Sequence, residues 1–585
     1  MKYPYATFLF CCFSCLFGYG QVLFEEVSES VNFNFSNAVM FGTGVSFCDF
    51  DNDGWDDITV SGDDGESISF FKNVNGIFEE VTYELDQLPM SLKQAVWIDF
   101  DNDGDKDLFV ASEEDKNRLY RNDDFIFTDI TVAAGLPDIV LQTNSGSWGD
   151  YDNDGDLDLF LSNRDLDQVI PNMLFRNNGD ETFENVNELS GIGDVSMITF
   201  QGTFFDYNND GWLDIFLIND RKVTPNILFH NNGDGTFTDM TLQAEAGYVM
   251  DAMSVGLDDY NADGFTDVYI TNTAYDSDFP VPANALMKND GDGTFSEIAI
   301  PSGVSFDRIS WGASFIDMDN NGRLDLYVSG VDDTNDNGEV SAAFYYQNGD
   351  GSFSRILSNG FETDLAHSFG NATGDYNNDG YLDLVVANRE PYTFNLWNNR
   401  YHESVTHNWL KIHLEGVESN RDGYGSRIEI SIDGEKQYRV TTSVESYLSQ
   451  NSDTESFGVG DTTSIDYVKI TWLSGHIDFI EDVVVNQTLT ITEGQFPLSL
   501  EDLENNFKLQ LYPNPTSDIV TVKMPNIIEG NNEVKIYNIL GQLVTTYSIE
   551  NNEEILSITN LYRGTYFLLF YNNERLLQTK KLIKM

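Results

Sequence analysis

The sequence predicts an all-β chain: a seven-bladed β-propeller followed by two small β-rich, sandwich-like domains. Three observations predict it. A nine-residue acidic pattern, D-x-[DN]-x-[DN]-G-x-x-D, begins at Asp49, Asp99, Asp150, Asp206, Asp259, Asp317 and Asp375. Its copies stand 50, 51, 56, 53, 58 and 58 residues apart, a period that marks a propeller or solenoid array. Each copy is flanked by short alternating runs such as Ala95-Val96-Trp97-Ile98 and Asp107-Leu108-Phe109-Val110, which read as strands.

The whole chain sets limits on function. Its 585 residues carry 97 acids against 31 bases, a formal net charge of −66. Such an excess argues against a nucleic-acid partner, which needs a basic face. With 41% hydrophobic and 13% aromatic residues the chain is too apolar for acidic disorder. Much of the acid must therefore be neutralised by something bound, and divalent cations are the candidates.

Residues 1–20 read as a secretory signal peptide, with Lys2 ahead of an apolar run from Ala6 to Phe17 that is too short to span a bilayer. Cys11, Cys12 and Cys15 leave with it, so the mature chain keeps only Cys48, expected to be a packed residue. No later run is long or apolar enough for a transmembrane helix.

Residues 21–400 form the repeat region. Ten to twenty residues after each acidic loop comes a second signature. Examples are Leu174-Phe175-Arg176-Asn177-Asn178-Gly179-Asp180 and Leu228-Phe229-His230-Asn231-Asn232-Gly233-Asp234. An Asn/Gly/Asp cluster between apolar runs is a hairpin turn. One repeat is then four strands, the composition of a propeller blade. The seventh repeat lacks its last strand, and Phe24-Glu25-Glu26-Val27 resembles the missing piece, so the N-terminal strand is expected to close the ring. Antiparallel order puts the acidic loops on one face and the variable connections on the other. Binding residues favour variable loops on a rigid scaffold, which nominates Arg164, Arg221, Lys222, Tyr275, His367, Arg389 and Tyr392.

The acidic loop itself reads as a cation site. Side-chain oxygens come from positions 1, 3, 5 and 9, and position 7 offers a backbone carbonyl, as in the first part of an EF-hand loop. The seven candidate ligand sets are Asp49, Asp51, Asp53, Trp55 and Asp57; Asp99, Asp101, Asp103, Asp105 and Asp107; Asp150, Asp152, Asp154, Asp156 and Asp158; Asp206, Asn208, Asp210, Trp212 and Asp214; Asp259, Asn261, Asp263, Phe265 and Asp267; Asp317, Asp319, Asn321, Arg323 and Asp325; and Asp375, Asn377, Asp379, Tyr381 and Asp383. Glycine fills position 6 in every copy and permits the turn. Oxygen ligands without His or Cys favour Ca2+ over zinc. Two charges about 4 Å apart near a surface repel by roughly 4 kcal/mol, so the expectation is about seven structural calcium ions. Catalytic residues are not expected in these loops.

On these residues the chain resembles the FG-GAP/VCBS repeats of integrin-α-like propellers, whose calcium loops face away from their ligand surface. Residues 407–494 carry Asn408-Trp409-Leu410, Ser446-Tyr447-Leu448-Ser449-Gln450, Phe457-Gly458-Val459-Gly460 and Trp472-Leu473-Ser474-Gly475, a series similar to the ASPIC/UnbV domain. There Arg421, Asp422, Ser449 and Gln450 are either turn-satisfying residues, the favoured reading, or a polar ligand cluster. After a linker at 495–507, residues 508–585 open with Leu511-Tyr512-Pro513-Asn514-Pro515-Thr516 and end on a basic tail with Lys580, Lys581 and Lys584. This unit resembles the C-terminal sorting domain of the Bacteroidetes type IX secretion system. The resemblance implies contact with that machinery and a secreted or outer-surface location.

Two functional readings follow. One is a recognition or adhesion module for an extracellular glycan or protein. The other is a polysaccharide lyase or hydrolase with a dispersed site on the variable face. None of His230, His367, His402, His407, His413 and His476 lies in a metal-hydrolase spacing, which favours the first.

Overall fold

The computed structural model describes residues 24–36, 42–62, 68–88, 91–167, 169–193, 196–222, 224–273, 284–306, 308–331, 342–357, 360–361, 364–497, 510–523, 532–538, 543–549, 551–572 and 575–585. The signal-peptide segment with its three cysteines, Tyr275 and linker residues 498–507 lie outside them. The described residues are nearly all β, and the chain divides into two compact units, 1–496 and 497–585.

In the first unit the described residues form seven four-stranded antiparallel sheets before residue 400. Blades 1 to 6 are simple meanders over 45–81, 92–129, 143–185, 199–239, 252–297 and 309–356. Blade 7 joins Ser368–Gly374, Asp383–Asn388 and Asn395–Asn399 to the N-terminal strand Phe24–Glu26, in register Phe24↔Asn399. The innermost strand of blade 7 lies against that of blade 1, which closes the ring. Both faces of each inner sheet are covered by neighbouring blades, so strands such as Leu92–Ile98 are buried along their whole length. Large rings fill the gaps. Trp97 stacks on Phe50 of the preceding blade and donates its indole N–H to Thr59, at 2.9 Å. Cys48 is buried in the same cluster, as expected.

The second domain, from Asn408 to Thr492, packs two sheets. Asn408–Glu415 lies between Thr454–Gly460 and the parallel strand Gln487–Thr492. Arg427–Ile432, Glu435–Val440, Ser464–Thr471 and Ile477–Val484 make the other sheet. Leu410, Ile412, Ile428, Ile430, Phe457, Val468, Ile470 and Trp472 fill the core between them.

The segment 441–453 leaves this sandwich and enters the axis of the ring. The innermost strands present unpaired backbone groups there, which are costly to bury unless something bonds them. The segment supplies the partners. The Gln450 side chain accepts from Trp97 N–H (3.0 Å) and donates to Trp97 C=O (2.8 Å), and its backbone bonds Val45 and Phe47. Ser443 holds both backbone groups of Trp148, Ser446 N–H donates to Val255 C=O, and Asn451 and Ser452 bond Thr373. Close approach demands glycine where the segment passes: a Cβ on Gly44 would lie 1.6 Å from the Leu448 carbonyl oxygen.

The second unit is a separate two-sheet fold. Gln510–Tyr512, Ile519–Lys523 and Glu553–Ser557 form one sheet, and Asn532–Asn538, Leu543–Ser548, Gly564–Asn572 and Arg575–Lys584 the other. Val520, Val522, Val534, Ile536, Leu568 and Phe570 form its core.

Candidate functional site

Each acidic loop joins the first and second strands of its blade, and all seven share one geometry. The position-1 carboxylate accepts the backbone N–H groups of positions 5 and 6; in blade 2 these are Asp103 N to Asp99 Oδ1 at 3.0 Å and Gly104 N to Asp99 Oδ2 at 2.8 Å. Position 5 accepts the N–H of position 7, as in Asp105 N to Asp103 Oδ1 at 2.9 Å. Position 9 reaches the third strand of the blade, where Asp107 accepts Asn122 N at 2.7 Å. These bonds turn the carboxylates inward around one point. Oxygens of Asp99, Asp101 and Asp107 lie within 4.8 Å of one another, as do those of Asp49/Asp51/Asp53, Asp150/Asp152/Asp158 and Asp317/Asp319/Asp325.

The donor set fits a hard cation. Asp51 Oδ1, Asp101 Oδ1 and Asp152 Oδ1, at position 3, are buried without a hydrogen-bond partner. Burial pushes Asp49, Asp99, Asp150, Asp259 and Asp317 up to about 7, against the lowering effect of the backbone N–H groups. Asp57 rises to about 9 for the same reason. Protons alone can relieve such a cluster at low pH; at neutral pH a divalent ion would, with the carboxylates as ligands.

The loops are not equivalent. One third-strand position beside each loop holds Lys72, Arg121, Arg176, His230, Lys288, Tyr346 or Asn398. Lys72 pairs with Asp51 and Asp53, and His230 Nδ1 lies 3.0 Å from Asp214 Oδ1. Arg121 and Arg176 turn outward instead, to Glu181 and Glu184. The ion pairs of that third-strand position in loops 2 and 3 thus go to Glu181 and Glu184 rather than to the loop carboxylates, although Arg121 and Arg176 still favour ionised Asp101 and Asp152 through space.

Two asparagine series tie the blades together, and neither follows from the spacing of the loops. The position-4 residue is left-handed in every loop, with φ between 54° and 60°. Its side chain donates to the position-6 carbonyl of the next loop, as Asn52 to Gly104 (3.2 Å), Asn102 to Gly155 (3.1 Å) and Asn153 to Gly211 (2.9 Å). Asn378 closes the circle on Gly54 at 2.8 Å. Ala262 has no such group. The buried third-strand Asn177, Asn231 and Asn289 donate back to the preceding blade, at Phe100, Tyr151 and Tyr207. The signal for the first series was present: Asn stands at position 4 in six of seven copies.

The second domain sits on this loop face. Lys106 bridges its Asp422 (2.9 Å) and Asp453 (3.0 Å), and all three side chains are almost wholly covered. Lys411 reaches Asp375 (2.7 Å), Arg427 donates to Gly264 C=O (2.8 Å), and Arg421 N–H donates to Asn102. A cavity of about 440 Å³ remains over blades 1, 2 and 7, walled by these paired charges. The turn-satisfying reading of Asp422, Ser449 and Gln450 needs correction: they bond to the propeller, because two surfaces unseen in a linear reading meet there.

At the other end of the axis lies a cup of about 250 Å³, to which blades 2 to 7 all contribute. Its walls hold Lys93, Glu113, Arg164, Asp220, Arg221, Asp251 and Arg389. Phe200, Trp311, Phe369 and Tyr447 form its depth. Arg164 bonds Glu113 (3.3 Å) and Asp220 (2.9 Å), with its guanidinium 4.8 Å above the Phe200 ring. Of the residues nominated on the variable face, Arg164, Arg221 and Arg389 meet here. Arg389 Nη2 donates to His367 Nδ1 (2.9 Å), and Tyr392 lies beside His367.

Family models match this layout. Residues 49–110, 99–161, 150–217, 206–270 and 259–328 match the FG-GAP-like repeat, 416–497 match ASPIC and UnbV, and 510–585 match a secretion system C-terminal sorting domain. The chain is an FG-GAP-repeat protein with an ASPIC/UnbV domain and a sorting tail. Cartilage acidic protein 1 of Mus musculus is 23% identical over 487 residues, covering 80% of this chain and 66% of its own. The Homo sapiens protein is likewise 23% identical, with 80% and 65% covered. The alignments thus span about two thirds of those relatives. Among solved structures, PorZ of Porphyromonas gingivalis aligns at 12% identity over 90% of this chain and 64% of its own, with a TM-score of 0.34. The sorting domain makes this FG-GAP-repeat protein a type IX-secreted, cell-surface protein of Bacteroidetes.

Among the described residues no helix is long and apolar enough to cross a membrane. Three further histidines have structural partners. His407 Nδ1 is 2.6 Å from Asp319 C=O, His413 is 3.6 Å from Asp453, and His402 is 3.6 Å from Asp379.

Proposed function

We propose that this is a calcium-fastened recognition module of the cell surface, which binds the end of an extracellular glycan in the cup opposite the acidic loops. The cup carries the reading. It is concave, rigidly walled by six blades, and mixes aromatic rings with charged and amide groups, the lining that orients a small polar ligand. A flat protein epitope would leave such a recess unfilled; a sugar ring or a single side chain fits it. In this reading calcium has no chemical task. The loops hold the blades in place, the ASPIC/UnbV plug closes the axis, and the sorting domain delivers the assembly to the surface.

A glycan array probed with the mature protein, with and without calcium, tests the reading. Retention of a defined set of glycans without new reducing or unsaturated ends supports recognition. Product release would instead favour the polysaccharide-degrading alternative, and an array without hits would remove the glycan assignment.

A further inference from the structure

Resting on calcium as the fastener of the acidic loops, we infer that loop 1 carries its own counter-ion: the Lys72 ammonium stands in for calcium there, which makes loop 1 a far weaker calcium site than loops 2 and 3. The three loops start from the same four carboxylates, Asp at positions 1, 3, 5 and 9. They differ in what the third strand of the blade turns toward them. Lys72 pairs with Asp51 at position 3 and lies 3.3 Å from Asp53 Oδ2 at position 5. Its cross-strand neighbour is Glu79, as Glu184 is the neighbour of Arg176. Arg176 takes that neighbour, at 2.9 Å, whereas Lys72 takes the loop. Arg121 likewise bonds Glu181, and both arginines act on their loop aspartates only through space.

The oxygens of loop 1 also converge differently. Those drawn together belong to Asp49, Asp51 and Asp53, positions 1, 3 and 5, whereas loops 2, 3 and 6 draw together positions 1, 3 and 9. Lysine holds its charge throughout the physiological range, unlike His230, which sits between Asp214 and Asp210 of loop 4. Lys288 beside loop 5 is divided, at 3.5 Å from both Asp263 and the hairpin residue Asp290. A divalent ion entering loop 1 must sit beside a like charge or evict a side chain whose tether keeps its local concentration high. Asp51 Oδ1 stays buried without a hydrogen-bond partner, so an ion can still enter once calcium is plentiful.

Loop 1 is also where the two ends of the ring meet. Asn378 of blade 7 donates to its Gly54 C=O at 2.8 Å, and its Asp56 accepts Asp375 N (3.0 Å) and Ser452 Oγ (2.8 Å). A lysine borne by the chain needs no supply from solvent. The seam between the last and first blades therefore stays neutralised at calcium levels that leave other loops empty.

The test is a terbium titration of the mature full chain under tryptophan excitation, since terbium takes the same oxygen ligands as calcium. Trp55 stands at position 7 of loop 1, so the emission that Trp55→Phe removes is the loop-1 signal. Asp105→Trp places the same reporter at position 7 of loop 2. The loop-1 signal should need at least tenfold more terbium than the loop-2 signal. Lys72→Met, with Lys72→Gln as a second variant, should close that gap and raise by one the calcium ions retained after gel filtration. In chelator these variants should melt below the wild type, because loop 1 then holds no cation. Equal midpoints for the two loops, or a loop-1 midpoint unmoved in both Lys72 variants, overturns the inference and leaves calcium fastening standing. An equal melt in chelator overturns the ammonium as a stand-in for the ion. Absence of terbium emission from both loops, with no calcium retained by any form, overturns the calcium reading as well.

Discussion

The smallest unit that explains this ring is a single side chain, the position-4 residue of each loop. It adopts a left-handed backbone, which Asn tolerates better than most residues, and its amide reaches the next blade. Ala262 occupies the same conformation with nothing to donate, so the link to Gly322 is missing. Ala262→Asn should stabilise the protein by about 1 kcal/mol, one hydrogen bond plus a better left-handed residue, read as a rise in melting temperature. A lower melt would count against this role. Lys106 stands at position 8, where four other loops have Leu. Between Asp422 and Asp453 it neutralises two buried carboxylates, so Lys106→Met should cost about 3–5 kcal/mol in chemical denaturation. The odd residue in that column was legible; its partners, more than 300 positions away, were not.

Strand Phe24–Glu26 is the element on which ring closure depends. Phe24 is buried and stacks on Phe344 at 5.0 Å, with Phe361 at 5.3 Å. Phe24→Ala should therefore cost about 3–5 kcal/mol, measured by urea unfolding, and make the 24–36 segment the first site of proteolysis. An unaltered unfolding midpoint would show that the closing strand adds little. Its role was readable because Phe24-Glu25-Glu26-Val27 repeats the last-strand pattern of blade 1, Phe78-Glu79-Glu80-Val81. The plug 441–453 had no such legibility. It matches no repeat, and its work is done by backbone groups and by short polar side chains that look like ordinary turn residues.

The whole molecule couples charge to assembly. Twenty-four carboxylates occupy ligand positions in the seven loops, and burial raises several of them, so under the proposed calcium fastening an emptied loop would hold buried acids that repel one another. A chelator at neutral pH should lower the melting temperature by ten degrees or more; an unchanged melt would refute structural calcium. The docked domain adds a second dependence. Glu455 is raised to about 8, first by burial and then by Asp258, while Arg439 opposes. A carboxyl raised in the fold stabilises it below its unfolded value, near 4.5, and loses that contribution as pH climbs through about 8. In saturating calcium the melting temperature should therefore fall between about pH 5 and 8 and level off above, and Glu455→Gln should flatten the slope. A slope that persists in the variant would assign it to other groups.

By itself the sequence determined the class, the repeat, the closing strand and the acidic loops. Each of these is written in residues close together or in copies that can be counted, so local chemistry and period suffice. Only the tertiary structure decided what lies at the two ends of the axis. It brought Arg164, Arg221 and Arg389 from three blades into one cup and drove Tyr447 up the channel to its floor. It also laid the second domain over loops that read as an open face. Those contacts join residues hundreds of positions apart through the curvature of a closed ring, and neither spacing nor composition encodes that curvature at any single position.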